Sequence, residues 1–179
     1  MNLVKTLLCC VCCLCFVFMA SCQKEEITNA TADELARLAE MEAAAFAEYD
    51  AKAAALPYVP VKQNEDGLLV LADANFMETV NEGGILVVDC WMDNCYYCEQ
   101  MDPLINQMAK LYAGVIRFAK LHNSNEIMTE KYRIQAFPTF VIFVDGKIVG
   151  LLPGAQQPER FRMILDRVML DFQAKQDER

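Results

Sequence analysis

The sequence predicts an α/β domain with a mixed β-sheet, and two observations support that fold class. From Leu68 onward, short apolar runs typical of strands alternate with stretches of helical periodicity. Two late apolar runs flank Asp145 and Gly146, a dipeptide that favours a tight hairpin turn. Because the two strands of a hairpin are antiparallel, the sheet is expected to be mixed rather than all parallel.

The elements of this domain are expected in a regular order. The predicted strands cover residues 68–71, 85–91, 115–121, 139–144 and 147–152. The predicted helices cover residues 73–81, 95–112, 125–132 and 158–172. Asp73 is expected to cap the first of these helices, which closes near Gly83 and Gly84, and Pro103 lies inside the second.

A long helix is expected before this domain, over residues 31–56. The segment is rich in alanine, the best helix former, and Thr31 with Glu34 has the capping-box spacing. Pro57 ends the pattern, and residues 58–67 have the composition of a linker. The apolar stripe of this helix is short and interrupted, so we interpret it as a spacer. Packing on the following domain and binding of a partner are the alternatives.

The N-terminus has the pattern of a secretory signal peptide. Lys5 places a positive charge before an uncharged apolar run over residues 7–20, and the small residues Ala20 and Ser21 precede Cys22. An uncleaved anchor is the alternative, because the uncharged stretch is close to the lower length limit of a membrane-spanning helix.

Cys22 ends a stretch that resembles a bacterial lipobox, with a departure at Met19, where the lipoprotein pattern prefers leucine. The resemblance implies a lipidated Cys22 that anchors the protein stably in the cell envelope of a Gram-negative bacterium, in the periplasm or at the outer membrane or its surface. Residues 23–26 are either a solvated linker or similar to the acidic signal that sends lipoproteins of one Gram-negative phylum to the surface.

The expected organisation follows from these patterns. Residues 1–21 form the signal peptide, residues 22–67 contain the lipidated cysteine, helical spacer and linker, and residues 68–179 form the α/β domain. The formal net charge of −9 excludes a general basic surface for nucleic acid.

The cysteines define the chemistry once the signal peptide is set aside. The chain has 9 cysteines, but after cleavage and lipidation only Cys90, Cys95 and Cys98 remain as thiols. Three thiols are too few for a disulfide-dense scaffold, although export places the protein in an oxidising compartment.

Cys95 and Cys98 form a C-x-x-C pair at the start of a predicted helix. The helix N-terminus favours the thiolate of Cys95, and Cys98, one turn on, can attack a mixed disulfide. Structural zinc would need four ligands, and only Cys90 and His122 remain to supply them. A structural disulfide closing so short a loop would restrict the unfolded chain little. Haem attachment is excluded, because Glu99 follows Cys98 where that motif needs histidine.

The stretch over residues 85–98 resembles the strand and active-site turn of the thioredoxin family. Further matches, in order, are Pro103 as the helix kink, Phe118 to Leu121 as the strand with a buried lysine, Phe137-Pro138-Thr139 as the cis-proline loop and Gly154 near the last hairpin. The resemblance covers about residues 68–174. It implies a thioredoxin-like fold, with a central mixed sheet flanked by helices, here preceded by the long N-terminal helix.

The resemblance also implies a redox-active dithiol and no separate cofactor or metal. The catalytic residues it assigns are Cys95, Cys98, Asp89, Lys120 and Pro138. The residues expected to contact substrate are Trp91, Tyr96, Tyr97, Phe137 and Thr139. A buried carboxylate has a raised pKa, which suits Asp89 as proton acceptor for Cys98, and Lys120 would modulate it.

The sequence departs from the family's usual Trp-Cys-Gly-Pro-Cys at Asn94, Tyr96 and Tyr97, which leaves the redox direction open. We expect an exported, membrane-anchored oxidoreductase that reduces protein disulfides, because oxidases of the superfamily often lack the acid found here at Asp89. A membrane or soluble thiol carrier would donate the electrons. The alternatives are a disulfide oxidase or isomerase and a non-catalytic binding or chaperone module.

Overall fold

A computed structural model describes residues 32–178 of the chain. The predicted signal peptide, Cys22 and the capping residue Thr31 lie outside the described residues. The chain divides into two compact units between Ala45 and Phe46. Among the described helices, none is both long and apolar enough to cross a membrane.

The described elements follow the predicted order. They are α1 (Ala32–Ala54), β1 (Lys62–Gln63), β2 (Leu69–Leu71), α2 (Asp73–Asn81), β3 (Ile85–Trp91), α3 (Tyr96–Leu111), β4 (Ile116–His122), α4 (Glu126–Lys131), β5 (Thr139–Val144), β6 (Lys147–Pro153) and α5 (Pro158–Asp177).

The strands form one mixed sheet in the order β1-β2-β4-β3-β5-β6. β4 runs parallel to both β2 and β3, whereas β5 is antiparallel to β3 and β6 is antiparallel to β5. β3 therefore lies in the interior of the sheet, and helices cover both of its faces, which accounts for its nearly continuous burial. The predicted fold class, a mixed sheet flanked by helices with a long N-terminal helix, is confirmed.

Successive side chains of β3 point to opposite faces of the sheet. Ile85 and Val87 join the apolar cluster that includes residues of α3 and α5. Leu86, Val88 and Cys90 join the cluster that includes residues of α2 and α4. By the same alternation, Asp89 points toward the face covered by α3, and its sequence neighbour Cys90 points away from it.

Three local features differ from the sequence prediction. β1, which pairs with β2, lies inside the stretch expected to be a linker. The last helix continues to Asp177, because no Gly or Pro follows residue 172 to end it. Asp73 does not cap α2. It is the first residue of that helix, and its carboxylate accepts backbone N–H bonds from Ile127 and Met128 at the start of α4.

The end of α1 packs on the sheet domain. Ala53 is buried, and the Phe46 and Tyr132 rings meet edge to face with centroids 6.0 Å apart. Lys131 of α4 forms an ion pair with Asp50, and its ammonium lies 5.3 Å from the ring centroids of both Phe46 and Tyr132. The spacer interpretation therefore does not hold for residues 46–54.

Candidate active site

Cys95 and Cys98 are joined by a disulfide bond at the N-terminus of α3, with Cα atoms 5.2 Å apart. The turn between β3 and α3 places Asn94 in the left-handed region, at φ 55°, which asparagine tolerates better than most residues. Cys95 is the N-cap of α3, and the Cys98 backbone N–H lies 3.1 Å from the Cys95 sulfur. The positive end of the helix is thus directed at that sulfur.

The two cysteines differ in access to solvent. Cys98 is 4% exposed, whereas Cys95 is half-buried. Tyr96 and Tyr97, between them, are 66% and 61% exposed, and their rings meet edge to face with centroids 5.4 Å apart. An incoming disulfide therefore meets Cys95 and two aromatic rings before it can meet Cys98. This geometry suits the attacking and resolving roles predicted for the two cysteines.

A buried carboxylate lies on the face of the sheet that α3 covers. Asp89 is 1% exposed, and among the described residues neither of its oxygens has a hydrogen-bond partner. Lys120 stands opposite it in the register of β3 and β4, with Nζ 3.8 Å from Asp89 Oδ2. Burial raises the pKa of Asp89 to about 7, and the Lys120 charge opposes this shift. Asp89 can therefore gain and lose a proton near neutral pH.

The Lys120 ammonium makes its closer ion pair with Asp102 of α3. The sequence analysis did not select Asp102. One signal was available, because Asp102 follows Cys98 by one helical turn and so shares its face of the helix. Its contact with Lys120, however, depends on how α3 docks against the sheet.

Trp91 packs beside this group. Its ring lies 5.1 Å from the Lys120 ammonium and 4.6 Å, centroid to centroid, from the His122 ring. His122, one residue beyond the predicted end of β4, is the last residue of that strand and pairs in register with Trp91. Its Nε2 lies 3.2 Å from an Asp93 carboxylate oxygen, but not in hydrogen-bond geometry.

The loop before β5 lies near the end of β3 that leads to the dithiol. The Phe137–Pro138 peptide bond is cis, and Pro138 is buried. Thr139 pairs in register with Cys90, the residue before the end of β3. The Thr139 hydroxyl donates to the Ala136 carbonyl at 2.7 Å, and its side chain is buried. Thr139 therefore has no side-chain surface for the substrate contact predicted for it, whereas Phe137 is half-buried.

Cys90 does not belong to the site. It is a buried free thiol on the opposite face of the sheet, and burial raises its pKa to about 12, so it stays protonated at neutral pH. Within residues 32–178, no group of three or more His, Cys, Asp or Glu side chains is arranged to hold a metal ion.

Comparison with known proteins agrees with this geometry. The family model described as thioredoxin matches residues 67–167, more than half of the chain. The chain belongs to the thioredoxin family, and is a thiol–disulfide oxidoreductase of that class. It is 31% identical over 101 residues to a thioredoxin of Staphylococcus aureus, a match that spans 56% of this chain and 96% of the relative. It is 38% identical over 73 residues to a chloroplastic M-type thioredoxin of Brassica napus, which spans 38% of this chain and 41% of that one.

Proposed function

We propose that this protein reduces protein disulfides outside the cytoplasm, while anchored to a membrane by a lipid on Cys22. The observation that carries the proposed direction is the buried carboxylate of Asp89 on the face of the sheet that α3, the helix of the dithiol, covers. A reductase must remove the proton of its resolving thiol, and a carboxylate with a pKa of about 7 is matched to that task.

The proposed reaction has two exchange steps. The Cys95 thiolate attacks one sulfur of the substrate disulfide, forms a mixed disulfide and releases the other substrate sulfur as a thiolate. Asp89 then takes the Cys98 proton, and the Cys98 thiolate attacks the Cys95 sulfur. This step forms the Cys95–Cys98 disulfide and releases the second substrate thiolate. Two electrons pass to the substrate, and a membrane or soluble thiol donor supplies two more to reduce the Cys95–Cys98 disulfide, itself becoming oxidised to a disulfide.

No cofactor beyond the dithiol takes part in this scheme. Trp91, Tyr96, Tyr97 and Phe137 are the proposed substrate contacts, because they surround the dithiol or precede Pro138. The cis-proline loop is proposed to pair with an extended segment of the substrate. The Cys22 anchor rests on the lipobox resemblance and would hold the domain in the cell envelope.

The reduction potential of the Cys95–Cys98 pair tests the direction. The protein is equilibrated with dithiothreitol or glutathione buffers, and the fraction reduced is measured by mass after alkylation. A potential near that of thioredoxin, about −270 mV, is expected for a reductase. A potential of about −180 to −120 mV would instead identify an isomerase or oxidase.

A further inference from the structure

The Lys120 ammonium lies near two carboxylates, those of Asp89 and Asp102. The Lys120 Nζ contacts the Asp102 carboxylate, yet it stays 3.8 Å from Asp89 and makes no hydrogen bond to it. The ammonium therefore lies closer to the more exposed of the two carboxylates. The Asp102 side chain is 46% exposed, whereas that of Asp89, the in-register partner of Lys120 on β3, is 1% exposed.

The position of the Lys120 ammonium is not the one that attraction to an ionised Asp89 alone would give. A buried carboxylate attracts a neighbouring cation more strongly than a solvated one does, because the protein interior screens charge less than water. Without a competitor, Lys120 would be expected to close on Asp89 and hydrogen-bond to it. Asp102 supplies the competitor, and the Trp91 ring lies 5.1 Å from the ammonium.

We propose that Asp102 is a positioning residue for disulfide exchange, which holds Lys120 away from Asp89 so that Asp89 remains able to accept the Cys98 proton. This inference rests on the proposed exchange reaction and adds a residue to it. Asp102 touches neither the sulfurs nor the carboxyl group of Asp89 in this role. Its charge also raises the Asp89 pKa directly, and the positioning role is the part of its effect that passes through Lys120.

Among residues 32–178, few charged groups face Asp89, so the effect of each can be tested separately. From β4 it faces Lys120, from α3 it faces the charge of Asp102, and from β5 its in-register partner is the apolar Phe140. Asp102→Asn removes a negative charge and frees Lys120 to approach Asp89. Both changes favour the ionised form of Asp89, so its pKa should fall.

The experiment measures the rate of disulfide reduction against pH in the full chain. In Asp102→Asn, the acid limb of the profile is expected to shift to lower pH by roughly half a unit or more. Asp102→Glu should restore the wild-type limb. The matched control is Asp171→Asn, which removes the same charge from an ion pair with Arg167 on α5 and should leave the profile unchanged.

The route through Lys120 is tested in a second background. Lys120→Met should move the acid limb to higher pH, and adding Asp102→Asn to Lys120→Met should produce a smaller downward shift than it does in the wild type. Equal shifts in the two backgrounds would mean that Asp102 acts on Asp89 directly, which would overturn the positioning role.

A carboxyl NMR titration of Asp89 separates this inference from the proposed function. If Asp102→Asn leaves the Asp89 titration and the acid limb unchanged in a folded protein, the inference is wrong. If the wild type reduces no disulfide but the Asp89 titration moves as expected, the control of Lys120 and Asp89 by Asp102 stands and the proposed reductase activity fails.

Discussion

Lys131 and Asp50 form an ion pair in which the lysine side chain is only 3% exposed, while that of the aspartate is 40% exposed. Removing Asp50 leaves a buried ammonium without its counter-ion, so Asp50→Asn should lower the free energy of unfolding by about 2 kcal/mol. Lys131→Met, which removes the charge and keeps much of the side-chain volume, should cost less. Urea denaturation of the two variants makes the comparison, and an equal loss in both would contradict this account.

The two cysteines are expected to fail in different ways. Cys95→Ser should abolish exchange, because the attacking sulfur is gone. Cys98→Ser should accumulate mixed disulfides on Cys95, because no thiol resolves them. Non-reducing electrophoresis and mass spectrometry detect the trapped partners. Cys90→Ala is the control and should retain activity; trapping through Cys90 would show that the assignment is wrong.

Asp89 should make the folded protein less stable as pH rises. Its pKa is about 7 in the folded protein, against the ordinary aspartate value of 3.8 expected in the unfolded chain. Between these values the folded state holds a proton that the unfolded state has released, so stability falls from about pH 4 through pH 7. Asp89→Asn should match the wild type near pH 4 and exceed it by up to about 4 kcal/mol at pH 8. Chemical denaturation at the two pH values measures the difference.

Tyr96 and Tyr97 should matter more for protein substrates than for small ones. Both rings are exposed beside Cys95 and offer apolar surface to a docked partner. Replacing both with serine should lower kcat/KM for a protein disulfide roughly tenfold, which corresponds to about 1.4 kcal/mol. The rate with a small aromatic disulfide serves as the internal control, and a parallel fall in both rates would point to altered cysteine chemistry instead.

Cys22→Ser should release the protein from membranes. If Cys22 carries the lipid, the variant should lose its acyl mass and move from the membrane fraction to the soluble fraction after cell breakage. Metabolic labelling with a clickable fatty acid reads the modification directly. Labelling that survives the substitution would exclude Cys22 as the anchor site.

The sequence predicted those parts of the molecule that depend on local pattern. The continuous apolar run of β3, the hairpin at Asp145 and the C-x-x-C pair at a helix start are all visible in short windows. Cys95 and Cys98 lie at the start of α3, and Asp89 lies on β3, so all three belong to elements with a clear local pattern.

What the sequence analysis missed depends on contacts between distant segments. β1 is two residues long, too short for alternation to show. Asp73 hydrogen-bonds to a helix that begins at Glu126, and Asp102 meets Lys120 only because α3 docks on β4. The burial of Thr139 likewise follows from its place between β3 and β6 rather than from its neighbours in sequence.

Asp89 and Cys90 are adjacent in the chain, yet the sheet separates them. Before β3 forms, Cys90 is free to pair with Cys95 or Cys98, and such a bond would hold the strand and the helix start in a single tight loop. Once β3 lies between β4 and β5, the Cys90 thiol is enclosed on the far face and only the native pair can form. In the folded domain the sheet therefore keeps the third thiol away from the exchange centre, so Cys90 cannot compete with Cys98 for Cys95.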